Sequence, residues 1–187
     1  MTDFLKQKKI LMTKATVPEN IFSRDKNEYD FVWIHDVPIQ NVLNLRNAKH
    51  VLENTYDSTP ISIDQHAMFI KNYDELERAD FVCRDKQALE YIGAFSIVKT
   101  FRGLEVGNYI GNTNYLGKGL AFPIMNSFIR YIDAHFEKTT PLISITKITN
   151  LKNINLNFKL GFKISHQLGD EFWLMTRTRV DQIAPYK

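Results

Sequence analysis

Apolar positions along the chain switch between two spacings, and the switches divide it into elements. Tyr29-Asp30-Phe31-Val32-Trp33-Ile34 is rich in β-branched and aromatic residues and predicts a first strand. Asp36 then reads as an N-cap, with Pro38 tolerated in the first turn of a helix reaching to about Asn47. Ile39, Val42, Leu43 and Arg46 share one face of it, so an arginine ends the apolar stripe. Ser62 followed by Gln65 is capping-box spacing and opens a second helix with Ile63, Ala67 and Ile70 at helical intervals. Residues 79–84, 91–98 and 104–110 predict three strands separated by charged or glycine-containing turns.

A long helix is predicted over 118–136, with Leu120, Ala121, Ile124, Met125, Phe128 and Ile132 facing inward. Pro123 lies deep in that span, where it would remove one backbone hydrogen bond and bend the first turns. Residues 142–145 predict a short buried strand. Asn150 starts a further helix, with Leu151, Ile154 and Phe158 on one face and Gly161 as its stop. Strands over 162–166 and 172–177 close the chain. The pattern predicts a mixed α/β domain, a central twisted mixed sheet of about seven strands with helices on both faces.

Composition narrows this. The 187 residues, 44% hydrophobic and 12% aromatic, suffice for one core, and no repeat or Gly/Ser linker divides them. Residues 1–187 are therefore expected as one domain, with 1–27 as a short helix or arm. Lys and Arg exceed Asp and Glu by 24 to 21 without a dense basic stripe, which argues against nucleic acid as partner. One cysteine, Cys83, excludes an intrachain disulfide framework and a cysteine-based zinc site, and no metal is expected. No apolar run has membrane-spanning length, and the start is too weakly apolar for a signal peptide. A cytoplasmic protein without membrane contact is the expectation.

The most informative segment is EVGNYIGNTNYLGKGLA, residues 105–121, a strand, a Gly/Asn-rich turn and a helix start. Gly117 and Gly119 would let backbone N–H groups approach a ligand, and the helix N-terminus adds partial positive charge, so a pyrophosphate would fit. The same glycines also suit a tight turn with no ligand. The segment is not a P-loop, since Leu120 follows Gly119, and it lies too far along the chain for the first unit of a Rossmann fold.

Tyr115-Leu116-Gly117-Lys118-Gly119-Leu120-Ala121 after a strand resembles the R/Q-x-x-G-x-G/A pyrophosphate loop of GNAT acetyltransferases, with Asn114 where the pattern has Arg or Gln. Asn150, Asn153 and Gly161-Phe162 resemble that family's N-x-x-A/S…G-F helix, and residues 91–96 its third strand. The resemblance spans 28–178 in order. It implies a GNAT fold, acetyl-CoA as co-substrate, and a cofactor site formed by Tyr109, Ile110, Gly111, Tyr115, Leu116, Gly117, Lys118, Gly119, Leu120, Asn150 and Asn153. Strand 104–110 would splay from its neighbour, and its backbone around Tyr109–Gly111 would hold the pantetheine arm and the acyl carbonyl.

A narrower resemblance, carried by Leu43-Asn44-Leu45-Arg46-Asn47, Val51, Ile61, His66 and Phe69-Ile70, is to enzymes that acetylate nucleotide-linked 4-amino sugars, as in pseudaminic-acid synthesis. Ribosomal-protein N-terminal acetyltransferases share the Arg-Asn element. Arg46, Asn47 and His66 would then border the acceptor, against plain alternatives of an arginine capping a helix and an exposed histidine. The resemblance implies direct attack of a neutral amine on the thioester, with Glu105 as base, directly or through water, and His66 in reserve. Glu105 is equally readable as a surface carboxylate.

Many members of the family carry a tyrosine seven residues after the motif asparagine, which protonates the departing sulfur. Asn157 stands there, and an amide donates a hydrogen bond but no proton. Three alternatives follow: departure assisted by hydrogen bonds alone, substitution by Tyr109 or Tyr115 with a rate that falls near the ordinary phenol pKa of about 10, or a module that only binds acetyl-CoA. The expected acceptor is a small-molecule amine, a nucleotide-linked amino sugar or else a peptide α-amine, with Trp33, Tyr56 and Arg46 favouring the sugar, and the protein a monomer or homodimer.

Overall fold

A computed structural model describes residues 1–22 and 26–179. Its elements run α1 (Asp3–Thr13), β1 (Ile21–Phe22), β2 (Glu28–Trp33), α2 (Ile39–Arg46), α3 (Lys49–Leu52), α4 (Ile63–Lys71), β3 (Arg78–Asp85), β4 (Glu90–Thr100), β5 (Gly103–Ile110), α5 (Ala121–His135), β6 (Leu142–Lys147), α6 (Leu151–Lys159), β7 (Lys163–Leu168) and β8 (Phe172–Arg177). One sheet of eight strands, ordered β1-β2-β3-β4-β5-β6-β8-β7, is antiparallel except where β5 meets β6.

The extra strand is β1, two residues that pair with Tyr29 and Glu28 and are too short to show a sequence period. Of the stretch before it, expected as a short helix or arm, residues 3–13 form helix α1, and the stretch meets α5 at two points. Phe4 stacks on Phe136 with centroids 5.0 Å apart, and Tyr131 donates its hydroxyl hydrogen to Thr16 O.

Alternation along the strands divides the sheet into two faces. On one, Phe81 and Phe95 meet Phe128 of α5 edge to face at 5.9 and 6.0 Å. Cys83 is buried in β3, and burial pushes its thiol well above the ordinary range, as befits packing filler. The opposite face carries Arg78, Asp80, Ala94, Ser96, Glu105, Gly107 and Tyr109 beneath α2 and α4.

Several local expectations are corrected. Residues 34–36 form a short 3-10 turn and Pro38, not Asp36, precedes α2. In α4 the capping box forms as expected, but Ile63 and Ala67 face outward, and His66, not exposed at all, is its one buried residue. In α6, Leu151 and Phe158 are exposed, while Ile154, Leu156 and Asn157 turn inward. Helix α5 starts at Ala121, so Pro123 sits in its first turn, where an N–H has no intrahelical partner, and costs no helix hydrogen bond. No helix among the described residues is long and apolar enough to cross a membrane.

Candidate functional site

The sheet opens at its one parallel joint. β5 and β6 pair only through Leu104 with Leu142 and Glu105 with Ile143. Beyond that point β6 stays with β8 as far as Lys147 while β5 follows β4 up to Ile110. Leu104 N–H donates to Pro141 O at 2.9 Å and Gly111 N–H to Ile92 O at 2.9 Å, which fixes the alternation between them. Asn108 and Ile110 therefore turn their backbone N–H and C=O groups into the gap.

The gap widens into a cleft of about 1180 Å³. Glu105, Tyr109 and Ile110 of β5 line it on one side, Ser144 and Thr146 of β6 with Asn150, Asn153 and Leu156 on the other. Arg46, His50 and His66 reach it from the helical face, and Gly117, Gly119 and Leu120 from the loop before α5. The segment after α3 bridges its two sides, since Lys147 donates to Glu53 O at 2.8 Å and the Tyr56 ring meets Phe172 at 5.1 Å.

The loop residues adopt the backbone that glycine permits. Gly117 and Gly119 have φ of +77° and +73°, and a Cβ on either would meet nothing within 4 Å, so the chain here faces open space. Leu120 precedes α5 without a side-chain cap, which leaves the helix's first N–H groups directed at the cleft end. Gly111 is required for a different reason. A Cβ there would sit 2.4 Å from Leu45 O, where α2 presses on the end of β5.

Four of the expected site residues are not on the cleft wall. Asn47 spends its amide on both polar groups of Ile61, at 2.8 Å each, and clamps the segment between α3 and α4. Lys118 lies over the Tyr115 ring at 4.7 Å. Gly111 stands behind the strand end. Asn157 is fully buried beneath β6, donating to Ser144 Oγ at 3.0 Å and Thr146 Oγ1 at 3.2 Å. Asn150 and Asn153 do border the cleft, but Asn150 caps α6 by accepting from Asn153 N–H, and Asn153 Nδ2 binds Thr146 Oγ1 at 3.0 Å. Tyr115 contributes to the wall while its hydroxyl binds Asp85 at 3.1 Å. Trp33 is buried against Phe81 and takes no part in the cleft.

Electrostatics distinguish the lining groups. Burial raises the Glu105 carboxyl above the ordinary carboxylate range, with Arg78 and Arg102 opposing. Burial lowers His66, Asp80 opposing, and so favours neutral imidazole. Burial lifts the Tyr109 phenol well above its usual range, as burial and the carboxylates of Glu90 and Asp85 do for Tyr115. A fall in rate near the ordinary phenol range is thus not what either tyrosine would give. The sequence reading missed His50, whose Nε2 donates to Ile110 O at 2.8 Å, and the Arg78–Asp80 pair. That pair was visible as two charged residues at i and i+2 ahead of the apolar run Phe81-Val82-Cys83.

No family model matches the sequence and no curated protein matches it. Solved structures do. A spermidine N-acetyltransferase from Vibrio cholerae, in complex with CoA and spermine, superposes with a TM-score of 0.71 at 17% identity, over 81% of this chain and 95% of that one. A ribosomal-protein-S5-alanine acetyltransferase from Vibrio fischeri gives 0.63 at 15% identity, over 87% and 98%. A domain from Methanocaldococcus jannaschii gives 0.69 at 16%, over 80% and 97%. The splayed eight-stranded sheet with helices on both faces is the GNAT fold.

Proposed function

We propose that the chain is an acetyl-CoA-dependent N-acetyltransferase that acts on a primary amine, the best match being the 4-amino group of a nucleotide-linked deoxy sugar. One observation carries the reading: the opened edge of β5, with the Asn108 and Ile110 N–H groups turned into the gap, runs into the glycine loop at the uncapped start of α5. An extended chain with amides along it and a pyrophosphate at its end matches such a groove, the amides meeting the strand edge and the anion the loop. The thioester supplies the activated acyl group. The protein's part is to hold the carbonyl against strand N–H groups, exclude water beneath the 53–61 segment, and take a proton from the amine at Glu105. A carboxyl raised by burial is a better base near neutrality than an exposed one.

Support for the acceptor comes from two buried, unpaired nitrogens on the helical side of the cleft. Arg46 Nη2 binds Asp57 O at 3.0 Å, while Arg46 Nη1 and His66 Nε2 are buried without partners among the described residues. A buried unpaired guanidinium N–H is costly and suits a ligand oxygen, and the neutral imidazole can meet a ligand hydroxyl as donor or acceptor. Tyr56, 83% exposed at the rim, offers a stacking surface. The likeness to the Vibrio fischeri enzyme favours a peptide α-amine as the second reading.

Calorimetry with acetyl-CoA tests the cofactor half. The wild-type chain should bind, and Gly119→Val, folded by circular dichroism, should bind at least about tenfold more weakly, since a branched residue at positive φ must move the loop. Equal affinity in a folded variant removes the site.

A further inference from the structure

Glu105 shares its row of the sheet with an arginine. Arg78 pairs with Val98 across β3 and β4, and Val98 pairs with Glu105 across β4 and β5, so the two stand on one face, about 10 Å apart at two strand spacings. Val98 lies between them in that row, and in the next row Asp80 is followed by only the small side chains of Ser96 and Gly107.

Arg78 is held on several sides. Asp80, 4% exposed, accepts from both Nε and Nη2, with Nε at 2.7 Å. The guanidinium lies over the Phe69 ring at 5.0 Å. Asp80 is itself fixed, its backbone N–H donating to the Tyr73 hydroxyl at 2.6 Å. None of these contacts uses Nη1. A bidentate, stacked arginine is a preorganised charge rather than a mobile one.

We propose that Arg78, pinned by Asp80, is a positioning residue that keeps the Glu105 carboxylate charged in the wall of the cleft. The value of this for catalysis rests on Glu105 being the base. Burial works against that charge and Arg78 is the first group opposing it, with Arg102 second from the β4–β5 turn. The other charged or titratable groups sharing the cleft are Tyr109 and Tyr115, Arg46, His50 and His66 on the helical side, Tyr56 at the rim, and Lys152 of α6. Asp80 has a double role. It fixes Arg78, and it offsets part of the positive potential that Arg78 projects.

The two members of the pair therefore act on Glu105 with opposite sign, which a purely structural pair would not. Carbon-13 NMR of the carboxyl groups, with Glu105→Gln to assign the resonance, reads the midpoint directly in the protein without substrate. Arg78→Gln should raise it, and Asp80→Asn should lower it, each by on the order of one pH unit. Arg78→Lys should keep it near wild type. The double change, which leaves no lone buried charge and so guards against misfolding, should give a midpoint between those of the single changes. Midpoints that move in the same direction in both single variants, or in neither, overturn the proposal. In amine-dependent turnover the acid limb of kcat/KM follows the same midpoints if Glu105 is the base. Midpoints that shift while the limb stays put uphold the role of Arg78 and remove that of Glu105.

Discussion

Asn157 donates its amide hydrogen to the Ser144 hydroxyl across 3.0 Å, and Ser144, not Asn157, faces the cleft. The residue that stands where GNAT acetyltransferases often carry a tyrosine thus organises the cleft wall from behind, sharing its N–H groups between Ser144 and Thr146. Asn157→Ala should remove donors from both hydroxyls and lower unfolding free energy by about 1–3 kcal/mol, measured by denaturant titration. Undiminished stability would contradict that role.

Arg46 joins a helix end to the cleft. Arg46→Ala should raise the acceptor KM and leave the acetyl-CoA KM nearly unchanged, because Arg46 stands on α2 and not on the glycine loop before α5. Steady-state kinetics with each substrate varied separates the two, and a joint rise would make Arg46 structural.

The order of elements was legible because strand and helix periods differ, and the GNAT fold was legible because separate motifs fell in that order. Side-chain orientation was less so. In α6 a buried asparagine outcompetes Leu151 and Phe158 for the inward face, since its amide has two hydroxyls on β6 to bind. In α4 His66 also takes the inward place over Ile63 and Ala67, there packing on the Phe69 ring and with Nε2 left unpaired among the described residues. Both cases put a polar residue where hydrophobic periodicity expects an apolar one, and both lie under or beside the cleft. Arg46 and His66 both line it, whereas Asn47 next door in sequence is turned to Ile61.

Of the two tyrosines weighed as proton donor, Tyr109 is the one not engaged elsewhere, since the Tyr115 hydroxyl binds Asp85. Burial holds its phenol well above the usual range, so it stays protonated through alkaline pH. If it serves as the acid, kcat should show no alkaline fall near pH 10, and Tyr109→Phe should lower kcat by about 10²-fold at all pH values. An unchanged kcat in that variant leaves sulfur departure to hydrogen bonds alone.

Lys8 of α1 is fully buried, with Nζ donating to the carbonyls of Tyr73 and Leu76, and burial lowers it from 10.5 to about 8. Between those values the unfolded chain holds the proton that the folded one has released. Its contribution to stability therefore rises with pH across about 8 to 10.5 and is lost as pH falls through about 8. The difference in unfolding free energy between wild type and Lys8→Met should grow in favour of wild type over that window. A difference independent of pH would contradict the assignment.

The most direct test of acetyl transfer is release of the CoA thiol from acetyl-CoA, followed with a thiol reagent, with acetylated product identified by mass spectrometry. Nucleotide-linked 4-amino sugars, peptides with free α-amines and spermidine are offered in turn. Amine-dependent release, fastest with the sugar nucleotide and coupled one to one to its N-acetyl product, is the predicted result. Tight acetyl-CoA binding without release from any amine would contradict catalysis and leave a binding module in its place.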